Sequence, residues 1–114
     1  MFDIRYYESC AGHRPVEEFI DGLDVKMRAK VFGRFELLEE YGSQIGMPFS
    51  RHLEDGIFEL RLTQSGNTVR ILYFFAMGRT IVLTHGFVKK TRRTPAREIE
   101  RAKRLRGDWK QRHE

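Results

Sequence analysis

A chain of 114 residues can bury one modest core but not two, and with 40% hydrophobic and 12% aromatic residues it is too apolar to stay disordered. A single cysteine, Cys10, excludes an internal disulfide and fits a reducing cytoplasm. The net charge of +5 is unevenly spread: 10 Lys and Arg face 12 Asp and Glu as far as Val88, then 11 face 4 from Lys89 to the end, so the last quarter is a basic arm suited to phosphate or to an acidic partner.

The first residues lack the charged-then-apolar pattern of a signal peptide, and no apolar run approaches a membrane span, so a cytoplasmic protein is expected. Residues 2–7 alternate apolar and polar side chains, a strand signal. A polar loop follows, and Pro15 opens a short helix with Val16, Phe19, Ile20 and Leu23 at helical spacing. Asp24 is placed to cap a longer helix, whose Met27, Val31, Phe35, Leu38 and Tyr41 form one apolar stripe and whose end falls at Gly42. Residues 43–56, with Gly46 and Pro48, read as a loop.

Three strand-like runs come next, at 57–63, 68–75 and 80–88, separated by Ser65-Gly66 and Met77-Gly78. After Thr94-Pro95 a helix is predicted from Ala96 to about Arg106, where Gly107 interrupts it and leaves 107–114 as a frayed tail. The expected fold is a single α+β domain over 1–114 in the order β-α-α-β-β-β-α. It has a four-stranded, largely antiparallel sheet with an N-terminal helical hairpin and a C-terminal helix.

A two-residue turn at Ser65-Gly66 sets Arg61 opposite Arg70 and Leu62 opposite Val69. Alternation then gives one apolar face of Phe58, Leu60, Leu62, Val69, Ile71 and Tyr73, which should receive the helical hairpin. The other face carries Glu59, Arg61, Thr63, Thr68 and Arg70. A second two-residue turn at Met77-Gly78 brings His85 opposite Arg70, with Phe87 and Lys89 beyond it. It leaves Ile57, Leu72, Phe74, Ile81 and Leu83 as an apolar end of the polar face, to be covered by the C-terminal helix or a partner. Two arginines directly opposed destabilise a sheet. Either Glu59 or Asp55 neutralises them and they stitch the surface, or they join Lys89 in an anion site that grips phosphate in fork geometry.

These residues also carry a resemblance. The blocks Gly56-Ile57-Phe58-Glu59-Leu60-Arg61, Val69-Arg70-Ile71-Leu72-Tyr73-Phe74-Phe75 and His85-Gly86-Phe87-Val88-Lys89-Lys90-Thr91, followed by Thr94-Pro95, resemble the phage-derived, HigB-like branch of the RelE/HigB toxin superfamily. The likeness covers nearly the whole chain. It implies a type II toxin: a metal-independent endoribonuclease without cofactor that cuts mRNA on the ribosome and is neutralised by an antitoxin, commonly a helix-turn-helix, HigA-like protein.

By position the resemblance assigns Arg61, Arg70, Lys89 and Lys90 to catalysis, with His85 or a lysine of lowered pKa as the acid–base group. Arg92, Arg93 and, more weakly, His52 are the expected RNA contacts. The tyrosine that some RelE-type enzymes carry near the C-terminus has no counterpart, because no Tyr follows Tyr73 and Trp109 is the one late aromatic. The superfamily also contains ParE-like gyrase poisons that cleave nothing, and a toxin-fold binding module without activity is the other alternative; the fold does not separate them. His13, His52, His85 and His113 are scattered, with no metal-binding spacing, and no glycine-rich phosphate loop occurs.

Overall fold

Residues Met1–Glu114, described by a computed structural model, form β1 (Asp3–Tyr6), α1 (Pro15–Asp21), α2 (Val25–Tyr41), β2 (Ser50–Glu54), β3 (Ile57–Gln64), β4 (Asn67–Ala76), β5 (Thr80–Val88) and α3 (Ala96–His113). The sheet has five strands in the order β1-β5-β4-β3-β2. β1 runs parallel to β5 and every other pair is antiparallel. The expected four-stranded sheet is therefore corrected to a mixed sheet of five. The added strand, β2, lies inside the segment that its Gly and Pro marked as loop. It folds back on β3 through Asp55 and Gly56, whose φ values of 50° and 76° suit a primed two-residue turn.

α2 starts as its sequence dictates: the Asp24 carboxylate accepts a hydrogen bond from the Met27 N–H at 2.8 Å. Its stripe of Met27, Val31, Phe35 and Leu38 packs with Val16 and Ile20 of α1 onto Leu60, Leu62, Val69, Ile71 and Tyr73. The β3–β4 register is the predicted one, with Arg61 opposite Arg70 and Leu62 opposite Val69.

The β4–β5 register is not. Ala76 pairs with Thr80 across a three-residue loop, and farther along Leu72 pairs with His85 while the next residue, Tyr73, pairs with Leu83. Thr84 is thus an extra residue in β5. Such a bulge shifts the alternation by one. The three-residue loop has already moved the register by one, so Ile81 and Leu83 join the hairpin-side core rather than the polar face and Val82 takes their place on the other side; the bulge then returns His85 to the polar face. Arg70 faces Phe87, and His85 faces Leu72.

The apolar end of the second face is covered by α3. Ala102 and Trp109 close over Ile57, Leu72, Phe74 and Val82. α3 does not stop at Arg106 but passes through Gly107 to His113. Three contacts outweigh the glycine's poor helix propensity. Trp109 meets Phe74 edge-on at 5.9 Å, the Tyr7 hydroxyl donates to Asp108 at 2.6 Å, and Arg112 donates to the Glu8 carbonyl at 2.6 Å.

β2 pairs with β3 only as far as Leu60. Beyond it the β3 edge is satisfied by side chains and loop: the Arg61 N–H reaches the Phe49 carbonyl at 2.8 Å, while Arg34 and Lys30 donate to the carbonyls of Arg61 and Thr63. No helix is long and apolar enough to cross a membrane.

Candidate nucleic-acid interface

The strand alternation that buries Leu60 and Leu62 on one side turns Glu59 and Arg61 to the other, beside Arg70. Glu59 is 1% exposed and sits at the centre of a cationic cluster. Its Oε1 lies 3.5 Å from Arg70 Nε, and its Oε2 lies 3.7 Å from Arg61 Nε and 3.8 Å from Arg51 Nε. The Thr94 hydroxyl donates to Oε1, which ties the segment after β5 to the cluster. Glu59 Oε2 and Arg70 Nε are the two buried side-chain polar atoms without a hydrogen bond. One carboxylate among three guanidiniums leaves a surplus of positive charge.

Lys89 adds to that surplus. Its backbone N–H bonds the Thr68 carbonyl at 2.8 Å. Burial, reinforced by the Arg70 guanidinium, holds its ammonium below the ordinary lysine range, with Glu59 opposing and Arg61 and Arg51 adding to the effect. Two hollows flank the cluster. A cleft of about 970 Å³ is lined by Arg51, Arg92, Arg93 and Arg97 among others. A smaller one, about 400 Å³, is lined by Lys30, Arg34, Arg61 and Arg70, with the Arg34 guanidinium 4.7 Å from the centre of the Phe49 ring. Lys90, exposed, borders a third hollow with Phe87 and Lys89.

Of the residues singled out in the sequence, Arg61, Arg70 and Lys89 are thus brought together, and Lys90, Arg92 and Arg93 line the adjoining hollows. His85 shares their face of the sheet but stands opposite Leu72 and beneath the first turn of α3, 1% exposed. Its Nε2 is 3.1 Å from Glu98 Oε1 and its Nδ1 is 3.1 Å from the Thr84 hydroxyl. Burial, aided by Arg101 and opposed by Glu98, lowers its pKa to about 4. The ring is then neutral at pH 7. Its proton belongs on Nε2, the only arrangement in which the Glu98 carboxylate meets a donor.

His52 pairs with Phe58 across β2–β3 and stacks edge-on to it at 5.0 Å, so it lies on the hairpin side of the sheet. Its Nε2 accepts the Gly56 N–H at 3.1 Å, a turn-bracing role.

Sequence reasoning missed Arg51, because β2 was hidden in the presumed loop; the Asp55-Gly56 pair was the available signal. Arg34, Lys30 and Thr94 gave no local signal, because only the packing of α2 and the return of the basic loop bring them to the site. Asp55, one of the two candidate neutralisers, pairs with Arg106 at 2.8 Å instead. No group of three or more His, Cys, Asp or Glu side chains is arranged to hold a metal ion.

Residues 18–106 match the family model described as phage-derived protein Gp49-like (DUF891), a span that contains the whole cluster around Glu59. No curated protein matches the chain.

Proposed function

Since the chain belongs to the Gp49-like phage-derived family of RelE-like toxins, we propose that it is a ribosome-dependent mRNA endoribonuclease held in check by an antitoxin. The observation that carries this reading is the convergence of Arg51, Arg61 and Arg70 on one buried carboxylate, with Lys89 within their electrostatic reach, between hollows lined by further cations.

Phosphate chemistry suits that arrangement. The 2′-hydroxyl of one nucleotide attacks the adjoining phosphorus, the bond to the 5′-oxygen breaks, and a cyclic phosphate remains. Negative charge gathers on the phosphoryl oxygens as the new bond forms. Guanidiniums fixed beforehand stabilise it without reorganising, which is usually the largest contribution to such a rate. Arg61 and Arg70 take that part. Lys89, its pKa lowered, accepts the 2′ proton, and Lys90, exposed on the same segment, supplies a proton to the departing 5′-oxygen. Arg92, Arg93 and Arg97 hold the flanking backbone by charge. His85, buried against Glu98, takes no part in the chemistry. The antitoxin is expected to be a helix-turn-helix protein with an acidic surface toward this basic face.

Inducing the protein in cells and mapping mRNA 5′ ends tests the reading. New ends within translated codons are expected, and they should vanish in the Arg61→Ala Arg70→Ala double variant. Undiminished toxicity of the double variant would show that the site is wrong. Growth arrest with intact mRNA and an induced DNA-damage response would place the protein with the gyrase poisons.

A further inference from the structure

We propose that Glu59 is the positioning residue of the anion site: its buried carboxylate holds Arg51, Arg61 and Arg70 in a converging fork behind the place where the RNA phosphate binds, and docks the basic segment after β5 through Thr94. The proposal rests on the phosphate-binding reading above. Glu59 is too deeply buried to touch RNA, so its effect must pass through its neighbours.

Four observations support it. The three guanidiniums come from different strands, and Glu59 is the only acidic group within ion-pair distance of any of them. Its partner Thr94 is 35 residues away in sequence, so one carboxylate joins β3 to the segment that carries Lys89 and Lys90. The arginine nitrogens stand 3.5 to 3.8 Å from the carboxylate, beyond a good charge-assisted hydrogen bond. Arg70 Nε is left with no acceptor although it is buried, which is rare in a folded protein and marks an unused donor. The fork is therefore gathered by Glu59 but not consumed by it: Arg70 is the buried, fixed member, and the more exposed guanidiniums of Arg61 and Arg51 remain for an anion arriving from the cleft.

The two duties of Glu59 oppose each other. Its charge weakens phosphate binding, while its position aligns the groups that cut. Replacing it therefore separates binding from turnover. Glu59→Gln keeps the shape and an acceptor for Thr94 but removes the charge. A 2′-O-methyl oligonucleotide, which lacks the attacking hydroxyl, reports binding; single-turnover cleavage of ribosome-bound mRNA reports alignment. Glu59→Gln is expected to bind the oligonucleotide about threefold tighter or more at low salt and to cleave roughly 10-fold slower or worse. Glu59→Asp keeps the charge but shortens the reach, and is expected to bind as the native protein does while cleaving roughly 10-fold slower.

Native turnover in either folded variant overturns the proposal. So does parallel loss of binding and turnover in a Glu59→Gln protein that melts at the native temperature. If Glu59→Gln does not fold, Glu59→Asp decides alone. The broader reading fails separately: cleavage surviving in the Arg61→Ala Arg70→Ala protein refutes the phosphate site itself. Loss of cleavage there, with native behaviour at Glu59→Gln, refutes only the role of Glu59.

Discussion

Arg61 and Arg70 stand directly opposite each other on adjacent antiparallel strands and share a single carboxylate, Glu59, one row along the sheet. Like charges so placed cost a sheet stability. The arrangement is understandable where the charges are needed together. Arg70, 5% exposed, is the more fixed of the two, with its Nη1 bonded to the Val69 carbonyl at 3.0 Å. Arg61, a quarter exposed, is the one open to the hollows.

Arg70→Lys should therefore be far from conservative. An ammonium keeps the charge but loses the planar fork and the span between Glu59 and the Val69 carbonyl. Single-turnover cleavage is expected to fall roughly 100-fold, with far-UV circular dichroism unchanged. Cleavage within twofold of native would mean that charge alone suffices at this position.

Lys89 provides a pH test. A general base works in its deprotonated form, so cleavage should climb with pH until it levels at the Lys89 pKa, which burial and Arg70 set below the ordinary 10.5. Lys89→Arg stays protonated throughout. A pH–rate profile of this variant is expected to be low and flat between pH 7 and 9; a slope like that of the native protein would assign the base elsewhere.

His85 should make the fold acid-sensitive. Its folded-state pKa, about 4, lies below the 6.5 of an unperturbed imidazole. The unfolded chain therefore binds the proton first, and the stability His85 contributes is complete above about pH 6.5 and drains away as pH falls toward 4. The loss by pH 5 should be on the order of 2 kcal/mol. Urea midpoints at pH 7 and pH 5, followed by the fluorescence of Trp109, measure it. His85→Gln should remove that difference, and an equally steep dependence in the variant would point to another group.

Gly86 is required by a neighbour. A Cβ at this position would meet Phe19 Cδ2 at 2.4 Å, so the α1 ring lies against bare β5 backbone. Gly86→Ala should cost about 1–3 kcal/mol. Adding Phe19→Leu should recover part of it, because the smaller side chain relieves the clash that the new Cβ creates. Strict additivity in denaturant unfolding would show that the ring moves aside freely.

Several features could be read from the chain because they follow from short-range rules. The Asp24 cap, the α2 stripe, the Ser65-Gly66 turn and the two faces of β3 and β4 depend on neighbours a few residues apart. Hence Arg61 and Arg70 were identifiable, while Lys89 came from the family resemblance and from a β4–β5 register that the structure corrects. What was not legible depends on insertions and distant contacts. The third loop residue between β4 and β5 and the extra residue at Thr84 together moved His85 away from Arg70 without any mark in the apolar pattern. β2 is short and irregular, so Arg51 was lost with it. Gly107 signalled a helix end that Asp108 and Trp109 override through their contacts with the distant Tyr7 and Phe74.

The hydrogen bond between Tyr7 and Asp108 spans 101 residues, so it can form only once both regions of the chain are present. β1 must wait for β5 before it has a strand to pair with. The lid over Phe74 must wait for Trp109. A chain that has emerged only as far as Arg106 holds every arginine and lysine of the cluster yet lacks the clasp that Asp108 and Arg112 make with Tyr7 and Glu8.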